Sequence, residues 1–251
     1  MKKIILCATQ RCGSTLVVED MRNTGVLGQP EEWFIPWHPD KTGQDWQQAL
    51  ASVYRRGSGP NGVFAVKIMA NQLFAVDGCL AGFTPARAPG SFTHIASEFE
   101  GAAWVWLRRR DIVAQAISRL MAQQTGINHA TARPEDAHFA GNLARGLDPD
   151  YNACTRYDYA AILREVTSIS LENLAWEQFF ASNGLAPLVF DYEDVIADAQ
   201  MGHLDRMSAA IGLDGAPPRS PRKMIKLGNA RNLEWRDQFM AEAAARKFRL
   251  D

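Results

Sequence analysis

Neither sign of charge prevails in this chain: 27 lysines and arginines stand against 28 aspartates and glutamates, for a formal net charge of -1. A chain so balanced lacks the global footprint of a nucleic-acid binder or of a protein drawn to an anionic membrane. Cysteine is scarce, with four residues at 7, 12, 79 and 154. They form no Cys-x-x-Cys pair, and the five histidines (38, 94, 129, 138, 203) show no zinc or triad spacing. A disulfide framework is not expected, and the chain reads as reduced and cytoplasmic. Long apolar runs are missing as well. The run after Lys2-Lys3 is about five residues, short of the ~7–15 that a secretory signal needs. No stretch approaches a membrane span. There is no internal repeat and no low-complexity tract.

What is present is an ordinary globular balance: 251 residues, 47% of them hydrophobic. At this length one core can bury roughly 70–75% of the unfolded chain's surface, so no staple is needed. Apolar runs predict strands at 4–8, 62–69 and 102–107, and a fourth strand with a turn over 187–194. Helical patterns fall at 14–23, 71–82, 111–126, 157–183 and 198–211, with a last helix from about 232. The segment 37–60 reads as loop with a helical piece at 43–55, 83–92 as loop, and 127–152 as a polar insertion. The helix at 111–126 is the clearest: Asp111 can cap its start, Gly126 can end it, and Ile112, Val113, Ala116, Ile117, Leu120 and Met121 form one apolar face. Strands alternating with helices predict an α/β fold, three layers α/β/α around a central parallel sheet, read as a single domain over 1–251. In such sheets ligands sit at the carboxyl ends of the strands. Two charged sequences stand there: "TQRCGST" after the first strand and "RRRD" after the third.

The first of these is a short glycine-bearing loop between a strand and a helix, an anion cradle built from free backbone N–H groups and the helix dipole. Gly13 permits close approach, Ser14 and Thr15 add hydroxyls, and Arg11 adds charge. The loop is not a Walker A sequence, because Ser14 follows Gly13 directly with no lysine between them. That disfavours ordinary nucleoside triphosphate hydrolysis. After the third strand, Arg109 precedes a helix on which Gln115, Ser118 and Arg119 share a face. An arginine fork with a hydroxyl can hold one phosphate. A plain turn and a solvent-facing serine are the rival readings of the two sites.

Together, "ILCATQRCGSTLVVEDMRNTGVLGQPEEWF" and "RRRDIVAQAISRLMAQQTG" resemble the Stf0-type bacterial sulfotransferases. "NGVFAVKIMANQ" and "NLEWRDQF" resemble further family segments in the same order, so the resemblance spans nearly the whole chain. It implies a P-loop-like sulfotransferase fold. It implies transfer of a sulfuryl group, without a metal, from 3′-phosphoadenosine 5′-phosphosulfate (PAPS) to a hydroxyl of a carbohydrate or other small molecule. Gln10, Arg11, Cys12, Gly13, Ser14 and Thr15 would surround the 5′-phosphosulfate, and Arg109 with Ser118 would clamp the 3′-phosphate. Lys226, with Arg231 near it, would border the nucleotide. Glu32 would be the general base, with Arg11 stabilising charge on the leaving oxygen. The segments 37–60 and 127–152 would be acceptor-side insertions, and a homodimer is an expectation of the same kind.

Several positions keep two readings open. Glu31 neighbours Glu32 and could exchange roles with it, and either glutamate after Pro30 would also suit a helix start. Cys12 stands where the family usually has serine. It is either a thiol with its pKa lowered by the helix terminus and Arg11, open to alkylation and shielded by nucleotide, or an inert small residue. Gln29 replaces a glutamate that helps bind sugar in a sugar-sulfating member. Trp33, Trp37 and Trp46 could wall an acceptor site or pack in the core. Lys67, with Asn71, could approach the sulfuryl group, or Lys67 could be a surface lysine with a buried stem. Asp191 and Glu193 read as cap or ion-pair residues. Two further function classes compete: a small-molecule kinase on a similar fold, and a protein that binds a 3′-phosphonucleotide without turning it over.

Overall fold

The computed structural model describes residues 1–86, 91–140 and 143–246. In chain order it contains β1 (Lys3–Ala8), α1 (Ser14–Asn23), α2 (Trp46–Gly57), β2 (Phe64–Met69), α3 (Leu73–Leu80) and α4 (Thr93–Glu98). Then come β3 (Ala103–Arg108), α5 (Ile112–Thr125), β4 (His129–Thr131), β5 (Leu143–Arg145) and α6 (Tyr159–Ser182). β6 (Leu188–Asp191), α7 (Tyr192–Ala197), α8 (Gly202–Ala210) and α9 (Ala230–Ala245) follow. Of the loop expected at 83–92, residues 87–90 lie outside the described residues, as do 141–142 of the segment 127–152.

Contacts group the chain into two units, 1–110 with 172–220 and 111–171 with 221–251. The first unit holds the expected parallel sheet. Its strand order is β2-β1-β3-β6, with every pair parallel. Ile4, Ile5, Leu6 and Cys7 are all fully buried, so both faces of β1 are covered, as parallel sheets require. One face carries Ile5, Cys7, Val66, Ile68, Trp104 and Trp106 into a core shared with α2, α3, α4 and the end of α6. Phe34, Phe64, Phe99, Phe179 and Phe180 fill that core, and the Trp176 indole N–H donates to the Ala8 carbonyl at 3.0 Å. α8 packs on β3 and β6.

Register decides what meets at the carboxyl edge. Ala8 pairs with both Met69 and Leu107, and Arg108 pairs with Asp191. The loop after β1, the 3-10 turn Ala70–Gln72, Arg109 and the start of α7 therefore stand along one edge. The chain leaves β1 toward β2 and returns to β3 on the other side. The β1–β3 boundary is thus the switch point, where open α/β sheets bind ligands.

The second unit packs Ala116, Ile117, Leu120 and Met121 of α5 against Ile162, Val166 and Ile169 of α6 and Trp235 and Phe239 of α9. Asp111 caps α5 by accepting from Ala114 N–H at 2.8 Å, and Gly126 ends it at φ 72°, both as expected. The insertion 127–152 carries the short parallel pair β4–β5. Asn152 and Asn229 exchange two amide hydrogen bonds (3.0 and 3.1 Å), which seats the N-cap of α9. Arg231 donates to the carbonyls of Asn152, Ala153 and Thr155, so its guanidinium ties a turn rather than standing open for an anion.

Candidate active site

β1 delivers the chain into the loop 9–13, and α1 begins at Ser14. Arg11 and Gly13 both have left-handed backbones, at φ 66° and 92°. Residues in that conformation within such loops turn N–H groups toward one side, which suits an anion. Gly13 heads α1, its carbonyl accepting from Leu16 and Val17 N–H at 3.0 and 3.3 Å. A Cβ on Gly13 would lie 2.3 Å from Cδ2 of Tyr192, so this glycine is required twice, by φ and by the ring upon it. Gly13→Ala is expected to lower stability by about 1–2 kcal/mol from the backbone alone, with more from displacing Tyr192. A urea titration reads it, and a loss below about 0.5 kcal/mol would overturn the requirement for glycine at this position.

Tyr192 also carries Arg109, whose guanidinium carbon lies 5.1 Å from the ring centroid. The three arginines after β3 divide their work. Arg108 bonds Asp191 at 2.9 Å. Arg110 holds Asp194 with two bonds of 2.8 Å, which keeps that carboxyl below the usual carboxylate range. Among the described residues, Arg109 pairs with Glu193 at 3.9 Å, and its buried Nε has no hydrogen-bond partner. Asp191 and Glu193 are ion-pair residues, as expected from their position.

Glu32 stands in the chain that follows α1. Its neighbour Glu31 runs beside β2, the Glu31 carbonyl accepting from Lys67 N–H at 3.1 Å. The Lys67 side chain is 2% exposed, which removes the reading of it as a surface lysine. Its ammonium lies 2.9 Å from Glu32 Oε1 and 3.3 Å from Thr15 Oγ1. The loop's sequence has no lysine, and the neighbouring strand supplies one. Gln72, at the end of the 3-10 turn, donates from Nε2 to Glu32 Oε2 at 3.3 Å. Glu31 differs: burial pushes its carboxyl up, against the lowering pull of Lys67, and its Oε1 accepts from Glu32 N–H at 3.3 Å. The glutamate set between lysine and glutamine is Glu32.

The remaining expected residues fall as follows. Cys12 is fully buried, and burial raises its thiol against the lowering hydrogen bonds from Thr9 and Ser14 and the pull of Lys67. Of the two readings left open, the burial of this thiol goes with the inert small residue. Ser14 and Thr15 are buried, Arg11 half-buried and Gln10 exposed. Trp37 packs in the core against Phe34 and Trp46, at ring separations of 4.9 and 5.0 Å, so it walls no acceptor site. Trp33 is half-buried, with its indole N–H on the Gln29 carbonyl at 3.1 Å and the Arg56 guanidinium 4.1 Å from its ring centroid. In the second unit Ser118 is half-buried on α5 and Lys226 is exposed. Arg119, on the face of Ser118, is committed to Glu165 and Ser168 at 3.5 and 3.4 Å. Among the described residues no metal-ligating cluster occurs, and no helix is long and apolar enough to cross a membrane. Gln72 and Tyr192 escaped the sequence reading. "FDYED" placed an aromatic at a strand end, and that was the available signal for Tyr192.

The family model described as Stf0 sulphotransferase matches residues 3–242. The trehalose 2-sulfotransferase of Mycobacterium tuberculosis (strain ATCC 35801 / TMC 107 / Erdman) is 27% identical, over 97% of this chain and 96% of that protein. The trehalose 2-sulfotransferase of Mycolicibacterium smegmatis is 26% identical, over 95% and 94%. The solved sulfotransferase of Alicyclobacillus acidocaldarius aligns at a TM-score of 0.48 and 12% identity, over 98% of this chain and 94% of that one.

Proposed function

The chain belongs to the Stf0 sulphotransferase family, and from that premise we propose that it transfers a sulfuryl group from PAPS to a hydroxyl of a carbohydrate or other small-molecule acceptor. The observation that carries the reading is the line Thr15–Lys67–Glu32, which joins an anion-cradling loop to a carboxylate through one buried ammonium. The relatives' transfer to trehalose supports a sugar hydroxyl as acceptor.

In this reading the 5′-phosphosulfate lies in the loop formed by Gln10, Arg11, Cys12, Gly13, Ser14 and Thr15. The acceptor, held by Gln29, Glu31 and Trp33, presents its hydroxyl to Glu32. The hydroxyl oxygen forms a bond to sulfur, and the bond from sulfur to the bridging phosphate oxygen breaks. The hydroxyl proton goes to Glu32. 3′-Phosphoadenosine 5′-phosphate leaves with the bridging oxygen's negative charge, which Arg11, Lys67 and the loop N–H groups stabilise. Arg109, held on Tyr192 with its Nε unbonded, is the 3′-phosphate contact of the first unit.

Calorimetry without metal tests the donor. 3′-Phosphoadenosine 5′-phosphate is expected to bind more tightly than ADP, and Arg109→Ala to weaken it about 10–100-fold, the range for a charged hydrogen bond. Equal binding of ADP would overturn the assignment of the donor. Turnover of PAPS by the same preparation separates an enzyme from a nucleotide-binding protein.

A further inference from the structure

We propose that Gln72 is a positioning residue for Glu32, setting the plane of its carboxylate for proton transfer; the inference rests on the reading of Glu32 as the base. Gln72 closes the 3-10 turn that follows β2, five residues after Lys67. Its amide has a single workable orientation. Oε1 accepts from Met69 N–H at 3.1 Å, and Nε2 donates to Glu32 Oε2 at 3.3 Å. A backbone N–H only donates and a carboxylate only accepts, so flipping the amide would make both contacts repulsive. The strand end thus fixes the oxygen of Gln72, and the oxygen fixes where its N–H points.

The carboxylate needs such a partner. The terminal torsion of a glutamate is broad, with two equivalent positions half a turn apart. Lys67 on Oε1 leaves rotation about that contact open, because an ammonium is a compact charge without a preferred plane. A second donor on Oε2, from a separate element, removes the rotation. Each oxygen accepts one bond and keeps one lone pair, so the clamp orients the base without filling it. A misplacement of about 1 Å at a reacting group can cost about 100-fold in rate. That is the scale on which one orienting hydrogen bond acts.

The test compares Gln72→Glu with Gln72→Met. Glutamate keeps the oxygen that accepts from Met69 N–H and exchanges the donor to Glu32 for a like charge. Methionine removes both bonds at similar volume. Turnover of 35S-labelled PAPS is followed with trehalose as acceptor and with water alone, where labelled sulfate is released, and Glu32→Gln is run beside the two variants. Gln72→Glu is expected to lower kcat about 10–100-fold, with the KM for PAPS changed less than about twofold and the melting midpoint retained. Wild-type kcat in Gln72→Glu with an inactive Glu32→Gln would overturn the positioning role and leave the base in place. Wild-type kcat in Glu32→Gln would overturn the base, and this inference with it. A rise in the KM for PAPS at constant kcat would assign Gln72 to donor binding instead. Loss of melting stability in both variants, in step with activity, would make it part of the fold and overturn the proposal.

Discussion

Glu32→Gln is expected to lower kcat by about 10²–10⁴, the contribution of a general base, while 3′-phosphoadenosine 5′-phosphate still binds. The amide keeps the shape of the side chain and a carbonyl oxygen for Lys67, so the loop beyond Thr15 retains its partner. In the proposed mechanism, what disappears is the acceptor for the proton released as the S–O bond forms. The same change leaves a fully buried ammonium opposite a neutral group. Stability should therefore fall by about 1–3 kcal/mol. Single-turnover measurement with PAPS reads the first effect, and a urea titration reads the second. Loss of nucleotide binding in step with kcat would mean that the variant has disturbed the loop and that Glu32 is structural.

Lys67→Met is expected to lower kcat by about 10²–10³, the range for removing one preorganised donor from a developing charge. Its effect on stability should be smaller than that of Glu32→Gln. Methionine fills the same narrow space without a charge, and the Glu32 side chain, 26% exposed, can turn to water when its partner goes. Activity then falls steeply while the urea midpoint moves less than in Glu32→Gln. Equal destabilisation by the two changes would show that the pair acts chiefly as a structural bridge. Full activity in Lys67→Met would remove it from the transfer step.

Much of the fold was legible because its signals are local. The strands 4–8 and 102–107 are apolar runs, and the helix 111–126 carries its own cap and stop. The chain did not announce α4, six residues without a side-chain cap, nor β4 and β5, three residues each, which are too short for a period to show. The places of the glycine-bearing loop and of Arg109, each after a strand, were legible in the chain. The neutralisation of Arg108 and Arg110 was not, since their carboxylate partners stand more than 80 residues away.

The sequence by itself determined an α/β chain with a lysine-free, glycine-bearing loop after its first strand and a glutamate downstream. The tertiary structure decided how those pieces combine. "FAVKIM" reads as a buried strand with one misplaced charge. Parallel pairing of Leu6 with Lys67 sets that charge beside Thr15, and the backbone of Glu31 docks on it. The same arithmetic buried Cys12 and Trp37, which the sequence left open between site and core. Periodicity and caps are properties of neighbours in the chain. The partners of a buried charge are fixed by register between strands, and register is settled only when the whole sheet excludes water.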